Sequence, residues 1–343
     1  MKLAHADFGR VAVVMGGTSR ERQVSLWSGA AVLDALQSLG VNAFGVDGIP
    51  ALLIAVQAQQ VDRVFIILHG PGGEDGTLQG ALEAMQVPYT GSGVLASALG
   101  MDKIRSKQIW QQLGLSTAEF CIVSANDTAA TLAENFGLPM VIKPSQEGST
   151  FGITLARTFE QLENGLQIAR DIGGEILAER LIEGDEYTIA ILDSHDGNRA
   201  QALPVIHIVP KLTFYDFDAK YISDATEYRI PSGLSPNAES AMQTLALRAF
   251  NALGASGWAR IDVMIDSRTG NQYLLEANTA PGMTSHSLVP KAAQSIGINF
   301  PELCRQILLS SLIPVCGQTQ THQGQSDKRP SAQNSPGAPC DQN

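Results

Sequence analysis

The sequence predicts an α/β protein that begins with an open parallel sheet and continues in a region of mixed α and β structure. Strand-like apolar runs alternate with helical segments over about the first ninety residues, which is typical of a parallel α/β sheet. Hairpin signals follow from about residue 140 and indicate antiparallel strands in the second half. The chain of 343 residues is long enough for two or three domains.

Composition limits the classes of function. With 23 basic and 34 acidic residues the net charge is −11, which argues against sequence-independent nucleic-acid binding. No apolar run reaches the roughly 20 residues of a membrane span, and the N-terminus lacks the pattern of a signal peptide. The 4 cysteines are scattered and indicate neither a disulfide framework nor a zinc site. We therefore expect a cytoplasmic protein that acts on small molecules, with no nucleic-acid or membrane partner.

The N-terminal elements predict where a ligand would bind. Strands are expected at 10–15, 41–46 and 63–68, with helices at 24–39 and 51–59 between them. In such a βαβαβ unit the ligand lies beyond the carboxyl ends of the strands. The glycine-rich segments GGTS and HGPGGEDG follow the first and third strands, so this edge of the sheet is a candidate site.

Two side chains near these loops have alternative interpretations. Glu21 stands three residues after Thr18 at an expected helix start, which fits a capping box, but its carboxylate could instead hold a substrate ammonium group. His69 ends the third strand and is either a structural histidine or part of a site. The residues alone leave both alternatives open.

The remaining elements follow in order. Helices are predicted at 101–113, 127–135, 159–172 and 236–253, and strands at 119–123 and in EILAERLI, EYTIAILD, ARIDVMI and YLLEAN. The segment PMVIKPSQEGSTFGITLA reads as a hairpin, and HDGN as a turn. The loop TFYDFDAKY is part of a connection too long to be a simple linker, which favours a functional loop. Beyond Cys316 the chain is polar and is predicted to be disordered.

Two glycine-containing segments suggest nucleotide binding to different degrees. Lys143 ends an apolar strand and is followed by PSQEGSTFG, a turn whose N–H groups suit phosphate oxygens, although an ordinary hairpin is equally possible. No Walker motif occurs. The segment GSGVLA, which starts at Gly91, matches a dinucleotide fingerprint but lies far from the first strand, which argues against NAD binding.

The last two strands carry a more specific signal. If their turn centres on Thr269, Asp262 faces Glu276 and Arg260 faces Asn278. Two opposed carboxylates repel each other unless a cation lies between them. Two carboxylates and an amide oxygen are ligands that Mg²⁺ accepts alongside phosphate. The alternative is that Arg260 alone neutralises a solvated polar face.

Together these segments resemble the D-alanine–D-alanine ligases of the ATP-grasp superfamily. The resemblance covers about residues 10–313 and rests on GGTSRERQVSLWSG, LHGPGGEDGTLQG, PYTGSGVLASALGMDKIRSK, KPSQEGSTFG, GDEYTIAIL, TFYDFDAKY, GWARIDVM and LLEANTAPGMTSHSLVP. It implies an N-terminal α/β substrate domain over 1–97, followed by a two-domain ATP-grasp fold over 98–182 and 183–315, with a polar tail over 316–343.

The resemblance also implies a role for each matching residue. The ATP-binding residues would be Lys103, Lys143, Glu179, Arg180, Leu181, Ile182, Glu186 and Lys220. The ligands of two Mg²⁺ or Mn²⁺ ions would be Asp262, Glu276 and Asn278. The catalytic residues would be Glu21, Ser149, Tyr221, Arg260, Gly282 and Ser287, and the substrate would contact Glu21, His69, Ser287 and Leu288.

The chemistry implied by the resemblance is the ATP-dependent joining of two D-alanine molecules for the synthesis of peptidoglycan precursors. The carboxylate of one D-alanine attacks the γ-phosphate to give D-alanyl phosphate, and the amine of the second D-alanine displaces phosphate. Relatives commonly form homodimers. A D-alanine–D-lactate ligase of the same superfamily is an alternative, which Tyr221 in its AKY context disfavours. A regulator that binds nucleotide without catalysis is disfavoured because the metal and phosphate residues are all present.

Overall fold

Three sheets, each built from a separate stretch of chain, organise the residues that the structure describes. The structure is a computed structural model, and it describes residues 8–148, 151–193, 200–210 and 226–312. The predicted α/β class, with parallel strands first and antiparallel strands later, is confirmed. None of the described helices combines the length and the apolar character that a membrane span requires.

The first sheet is parallel and places two loops side by side. It contains β1 (Val11–Met15), β2 (Ala43–Asp47) and β3 (Arg63–Ile66) in the order β2-β1-β3, connected by the helices α1 (Arg22–Ser38) and α2 (Gly48–Gln57). Because β1 is the central strand, the chain passes from β1 to β2 at one side of the sheet and then returns past β1 to β3 at the other side. The loops after β1 and β3 therefore meet at the carboxyl edge, where a ligand site is expected.

The helices α3 (Thr77–Ala84), α4 (Val94–Met101) and α5 (Lys103–Gln112) follow. Neither α3 nor α4 was predicted from the sequence, and the helix predicted over 101–113 corresponds to α5. Between α4 and α5 the backbone is extended at Asp102, whose carboxylate accepts hydrogen bonds from the N–H groups of Ile104 and Arg105. This N-cap starts α5 at Lys103.

The second sheet is antiparallel and contains β4 (Phe120–Val123), β5 (Met140–Pro144), β6 (Thr154–Ala156) and β7 (Ile176–Arg180), in the order β4-β7-β5-β6. The pairing of β5 with β6 confirms the predicted hairpin. The helices α6 (Ala129–Asn135) and α7 (Phe159–Ile172) supply Leu132, Leu162 and Leu166 to the core of this sheet. Both helices begin with a capping box, at Thr128 and Thr158.

The third sheet carries the predicted carboxylates. Its strands are β8 (Gly184–Leu192), β9 (Gln201–Ala202), β10 (Ile206–Pro210), β11 (Thr226–Arg229), β12 (Trp258–Asp266) and β13 (Gln272–Asn278). The order is β11-β10-β8-β12-β13, with β9 beside β8. The helix α8 (Pro236–Ala252) packs on one face, and α9 (Leu288–Ser295) and α10 (Phe300–Ser310) contribute to the core on the other.

One apolar core joins the first and third sheets. It combines Val13 and Phe65 of the first sheet with Trp258 of β12 and with Leu288 and Leu308 of the last two helices. The predicted domain limits at 97, 182 and 315 remain a prediction. The turn HDGN, the loop TFYDFDAKY and the tail lie outside the described residues.

Candidate active site

A bulge in the last strand pair brings the polar side chains of the site onto one face. Asp262 pairs with Glu276 and Arg260 pairs with Asn278, as predicted. The predicted uniform register is wrong nearer the turn, where Val263 pairs with Leu274 and Leu275 is the extra residue of a β-bulge. If the register of Val263 and Leu274 continued without the bulge, Asp262 would face Leu275, and Glu276 and Asn278 would point to the opposite face. The bulge therefore creates the cluster.

Each member of this cluster has a distinct environment. Asp262 is buried, accepts hydrogen bonds from Arg260 Nε at 2.9 Å and Nη2 at 2.8 Å, and accepts another from Thr188 Oγ1 at 2.5 Å. Glu276 Oε2 lies 3.4 Å from Lys103 Nζ. Asn278 Oδ1 is buried without a hydrogen-bond partner among the described residues. Two carboxylates and an unsatisfied amide oxygen are a suitable partial ligand set for a hard divalent cation.

Two lysines lie on neighbouring elements, and one of them, Lys103, contacts the cluster. Lys103 opens α5, and its Nζ donates a hydrogen bond of 2.7 Å to the carbonyl oxygen of Glu147 in the glycine-containing turn after β5. Lys143 lies on β5 and donates to the buried carboxylate of Glu179 on β7. A backbone hydrogen bond from Lys103 N to Ser145 O, 3.1 Å long, joins the start of α5 to the end of β5. The two ammonium groups thus occupy linked elements.

Glu179 lies between two lysines. Its Oε2 is 2.9 Å from Nζ of Lys107, a residue that is fully buried. Burial alone would raise the pKa of Glu179, but the charges of Lys107 and Lys143 lower it to about 2. Lys107 was not predicted as a site residue. A signal was present, because Lys107 follows Lys103 by four residues and therefore lies on the same face of the helix.

The segment after β7 connects the second sheet to the third. Arg180 makes an ion pair of 3.4 Å with Glu119, and its guanidinium lies 5.1 Å from the ring of Phe136. Leu181 and Ile182 follow as half-buried residues, and Glu186 is half-buried on β8. All four residues lie where the chain passes from β7 of the second sheet to β8 of the third sheet.

The carboxyl edge of the first sheet presents Glu21. Glu21 is the N-cap residue of α1, but its side chain makes no capping hydrogen bond among the described residues, so the capping-box alternative is wrong. Its carboxylate lies against the turn after β5, because a Cβ added to Gly148 would be 2.9 Å from Glu21 Oε2. Glycine at position 148 allows this close approach between two regions of the chain.

Two further titratable groups surround Glu21. His69 is buried, its Nε2 has no hydrogen-bond partner in the described part of the chain, and burial lowers its pKa. Glu74 accepts a hydrogen bond of 2.6 Å from Gly70 N, and burial followed by the charge of Glu21 raises its pKa to about 8. Glu74 was not predicted, although it lies in the GPGGEDG loop that marked the candidate site.

An open cleft connects Glu21 and Glu74 with the cluster on β12 and β13. It is lined by Glu21, Glu74, Gly100, Met101, Lys103, Glu147, Gly148, Arg260, Glu276, Ala277, Asn278 and Thr279. The cleft therefore brings together residues that are far apart in the sequence. Glu21 lies at the carboxyl edge of the first sheet, Lys103 opens α5, and the remaining predicted residues are on the polar face of β12 and β13.

The family models decide what kind of protein carries this cleft. A model described as "D-ala D-ala ligase C-terminus" matches residues 109–309, and one described as "D-ala D-ala ligase N-terminus" matches residues 52–92. The chain belongs to the D-alanine–D-alanine ligase family. The family predicted by resemblance is thereby confirmed, as is the fold class, because the architecture matches solved ligases of this family.

Individual ligases show the extent of the similarity. D-alanine–D-alanine ligase B of Xanthomonas campestris pv. campestris is 54% identical over 312 residues, which are 90% of this chain and 96% of that protein. The ligase of Xylella fastidiosa is 50% identical over 89% of this chain and its own full length. The crystal structure of the Bacillus anthracis ligase, 32% identical, has a TM-score of 0.75 and covers 88% of this chain and 97% of its own. A complex of that ligase with ATP is 30% identical with the same TM-score.

The other residues predicted from the ligase family lie near the end of the described chain or outside it. Ser287 is the N-cap residue of α9, and its Oγ accepts a hydrogen bond of 2.9 Å from Thr284 N. Gly282 is adjacent, because a Cβ there would be 2.9 Å from Ser287 Oγ. Leu288 opens α9. Ser149, Lys220 and Tyr221 lie outside the described residues.

The GSGVLA segment has a packing role in this ligase fold. A Cβ added to Gly257, whose φ is +73°, would lie 2.9 Å from Gly91 Cα. Ser92 Oγ accepts a hydrogen bond of 3.2 Å from Ser256 N. The glycines at 91 and 257 therefore allow two backbone segments to approach closely, which agrees with the argument against a dinucleotide site.

Proposed function

We propose that this chain uses ATP to join two D-alanine molecules into D-alanyl-D-alanine, releasing ADP and phosphate, for the synthesis of peptidoglycan precursors. The observation that carries the proposal is the cleft in which Glu21 faces the charged cluster of Lys103, Arg260, Glu276 and Asn278. One end offers a carboxylate for an ammonium group, and the other offers a metal- and phosphate-binding surface. A ligase that phosphorylates an amino acid needs both within one cavity.

The nucleotide would bind between the second and third sheets. Lys103 and Lys143 would contact its phosphates, together with Lys220 from the loop outside the described residues. Glu179, Arg180, Leu181 and Ile182 would line the adenine pocket, and Glu186 would bind the ribose. Support comes from the ATP complex of the Bacillus anthracis ligase and from the position of these residues where the chain passes between the sheets.

Asp262, Glu276 and Asn278 would hold two Mg²⁺ or Mn²⁺ ions. Among the described residues no three His, Cys, Asp or Glu side chains form a complete metal site. The remaining ligands would therefore be phosphate oxygens and water, as Mg²⁺ prefers. When bound, the ions supply positive charge to the phosphate oxygens as negative charge shifts between them.

Glu21 would hold the ammonium group of the first D-alanine, with His69 beside it. Held there, the substrate carboxylate oxygen attacks the γ-phosphorus, the bond from phosphorus to the ADP oxygen breaks, and D-alanyl phosphate forms. Lys103 and Lys143 favour this step by offsetting the negative charge of the phosphates. The raised pKa of Glu74 keeps a second negative charge from forming beside Glu21 at neutral pH.

The second D-alanine would bind at the start of α9. Ser287 and the N–H of Leu288 suit a carboxylate, because the first N–H groups of a helix have no partner within it and favour negative charge. The neutral amine attacks the acyl carbon, and phosphate leaves with the electrons of the acyl–oxygen bond. Arg260 and the N–H of Gly282 would stabilise the oxyanion that forms in between.

Exclusion of water protects the acyl phosphate from hydrolysis. By the resemblance, we assign this role to the loop containing Tyr221, and Tyr221 and Ser149 would act there together with Glu21. The assignment rests on the match of these residues to the family's motifs. The same resemblance supports a homodimer, and the use of ATP supports a cytoplasmic location.

The dipeptide product is favoured over the D-alanine–D-lactate alternative. The relatives at about 50% identity are named D-alanine–D-alanine ligases. Tyr221 in its AKY context also favours the dipeptide. The alternative has no observation of its own to support it.

Phosphate release from Mg-ATP tests the proposal. Purified protein is supplied in turn with D-alanine, L-alanine, and D-alanine plus D-lactate, and the products are separated by mass. We expect release that requires D-alanine, with D-alanyl-D-alanine as the product. Equal turnover with the two alanine enantiomers would refute the assignment, and a predominant depsipeptide product would favour the lactate ligase.

A further inference from the structure

We propose that Lys107 is a positioning residue that keeps the charge of Lys143 available to the nucleotide and ties the nucleotide site to the metal-binding strand. This inference rests on the proposed function, because it assigns the phosphates of ATP to Lys143. Lys107 lies in α5 and is fully buried, so it does not act as a surface cation.

The ammonium group of Lys107 is surrounded by protein oxygens. Its Nζ donates to Thr117 Oγ1 at 2.6 Å and to the carbonyl oxygen of Leu274 at 3.3 Å, and it lies 2.9 Å from Glu179 Oε2. The first two oxygens accept hydrogen bonds, and the carboxylate of Glu179 is the ion-pair partner of the ammonium group. Lys107 is therefore occupied within the protein and acts through its neighbours.

The first consequence concerns charge. Glu179 is paired with Lys143 through Oε1 and with Lys107 through Oε2, so two positive charges share one negative charge. If Lys107 lost its charge, the carboxylate of Glu179 would neutralise Lys143 alone. In this buried setting the attraction of Lys143 for phosphate would then fall, because charges interact strongly where water is excluded.

The second consequence concerns the geometry of β13. Leu274 is the last paired residue before the bulge residue Leu275 and the predicted metal ligand Glu276. Leu274 also donates from its N–H to Ser116 O at 2.9 Å, and its carbonyl accepts from Thr117 Oγ1 at 2.9 Å. The ammonium of Lys107 thus contacts both the nucleotide-side carboxylate and the backbone that leads into the bulge.

Lys107→Met tests the charge, because it removes the ammonium while keeping an unbranched apolar side chain. Affinity for the non-hydrolysable analogue adenylyl imidodiphosphate with Mg²⁺ is measured by calorimetry, alongside the KM values and thermal stability. We expect analogue affinity to fall by roughly tenfold or more, as for a lost hydrogen bond to a charged group, with a smaller change in the KM for D-alanine.

Two further variants separate positioning from stability. Trp110→Phe removes another buried hydrogen bond of α5, from Trp110 Nε1 to Ala249 O at 3.2 Å, and should lower stability without changing analogue affinity. Glu179→Gln added to Lys107→Met removes the negative charge that would neutralise Lys143. Because Glu179 is also assigned to the adenine pocket, the double variant is compared with Lys107→Met for binding of magnesium tripolyphosphate, which contains no adenine. The double variant should bind tripolyphosphate more tightly than Lys107→Met alone, whereas a purely structural role predicts a further loss.

The outcomes distinguish this inference from the proposed function. Wild-type protein that fails to bind the analogue contradicts the proposed function. Wild-type binding with an unchanged affinity in Lys107→Met, or no recovery in the double variant, overturns the role of Lys107 alone. If Lys107→Met fails to fold, Lys107→Arg carries the test: it retains the charge and should keep near-wild-type affinity, and an affinity loss beyond that of Trp110→Phe would contradict the charge argument.

Discussion

At the scale of single residues the cleft contains pairs of neighbouring carboxylates, and the repulsion within each pair is reduced in a different way. Glu276 and Asp262 face each other across two strands, with Lys103 near one and Arg260 on the other. Glu21 lies near Glu74, whose raised pKa relieves the repulsion between them. The environment of each carboxylate therefore depends on the charged groups beside it.

The first prediction concerns Glu276. Glu276→Gln removes a charged ligand of the proposed metals but also removes the repulsion with Asp262, so it should lower activity by about 100-fold or more without lowering stability. Phosphate release across a range of Mg²⁺ concentrations and thermal unfolding are measured. The exposed Glu160→Gln in α7 is the matched control and should behave as wild type. Near-normal activity of Glu276→Gln at low Mg²⁺ would refute the metal role.

The second prediction concerns Glu74 and pH. Burial and Glu21 raise the pKa of Glu74 from its ordinary value of 4.5 to about 8 in the folded protein. Between these values the folded state holds a proton that the unfolded state has released, so this group lowers the free energy of unfolding as pH rises. The glutamine side chain of Glu74→Gln cannot ionise, so the variant should not lose free energy of unfolding through this group as pH rises.

Urea unfolding at pH 5, 7 and 9 measures the effect. Relative to wild type, Glu74→Gln should become progressively more stable from pH 5 to pH 9. If the free energy of unfolding depended on pH in the same way in both proteins, the raised pKa of Glu74 would be contradicted. Because Gln keeps an oxygen that can accept from Gly70 N, the hydrogen bond at 2.6 Å does not complicate the comparison.

At the scale of elements, the ends of helices and strands carry the site. α5 begins at Lys103, and Lys143 lies next to the end of β5. Asp102 joins these ends: it caps α5, and its carboxylate accepts from Ser145 Oγ at 2.5 Å and from Gln146 Nε2 at 3.2 Å. The helix start and the phosphate-facing turn therefore share one carboxylate.

The third prediction follows from this shared cap. Asp102→Ala should cost about 1–2 kcal/mol of stability as a lost N-cap, and it should also raise the KM for ATP because Lys103 and the turn lose their common anchor. Thr128→Ala is the matched control, since it removes the capping box of α6 away from the cleft. Thermal unfolding and steady-state kinetics are measured. An equal KM for ATP in the two variants would show that Asp102 acts only as a cap.

At the scale of the whole molecule, the first and third sheets are held together by one core. Arg63 adds a polar link, since its Nη1 donates to the carbonyl oxygen of Ser311 at 2.6 Å and thus joins β3 to the end of α10. The first sheet, which carries Glu21 beside its carboxyl edge, is therefore held in place by contacts with the last two helices.

The fourth prediction concerns residues 317–343, which follow the described part of the chain. Removal of residues 317–343 should change neither the midpoint of thermal unfolding nor the rate of phosphate release, because that segment contains almost no apolar side chains to bury. A truncation at 310, which removes Ser311, is the contrasting variant and should lower the midpoint. If removal of residues 317–343 lowered the midpoint of thermal unfolding by more than a few degrees, the polar segment would be shown to contact the fold.

Local sequence patterns were sufficient for most strands and helices. The apolar run at β1 and the hairpin around Lys143 are examples, because periodicity and turn residues act over short distances. The helices α3 and α4 were not predicted. The start of α5 at Lys103 depends in part on a distant residue, because its cap Asp102 also accepts a hydrogen bond from Ser145, more than 40 residues later in the chain.

The sequence by itself determined the family, most of the strands and the facing of Asp262 and Glu276, because motifs and side-chain alternation are local properties of the chain. Only the tertiary structure decided how that facing arises, through the bulge at Leu275, and which buried charges surround it. Lys107 contacts Glu179 and Leu274 from two different sheets, and Glu74 acquires its raised pKa beside Glu21. Burial and the distance between charges depend on which distant segments pack together, and no local pattern encodes them.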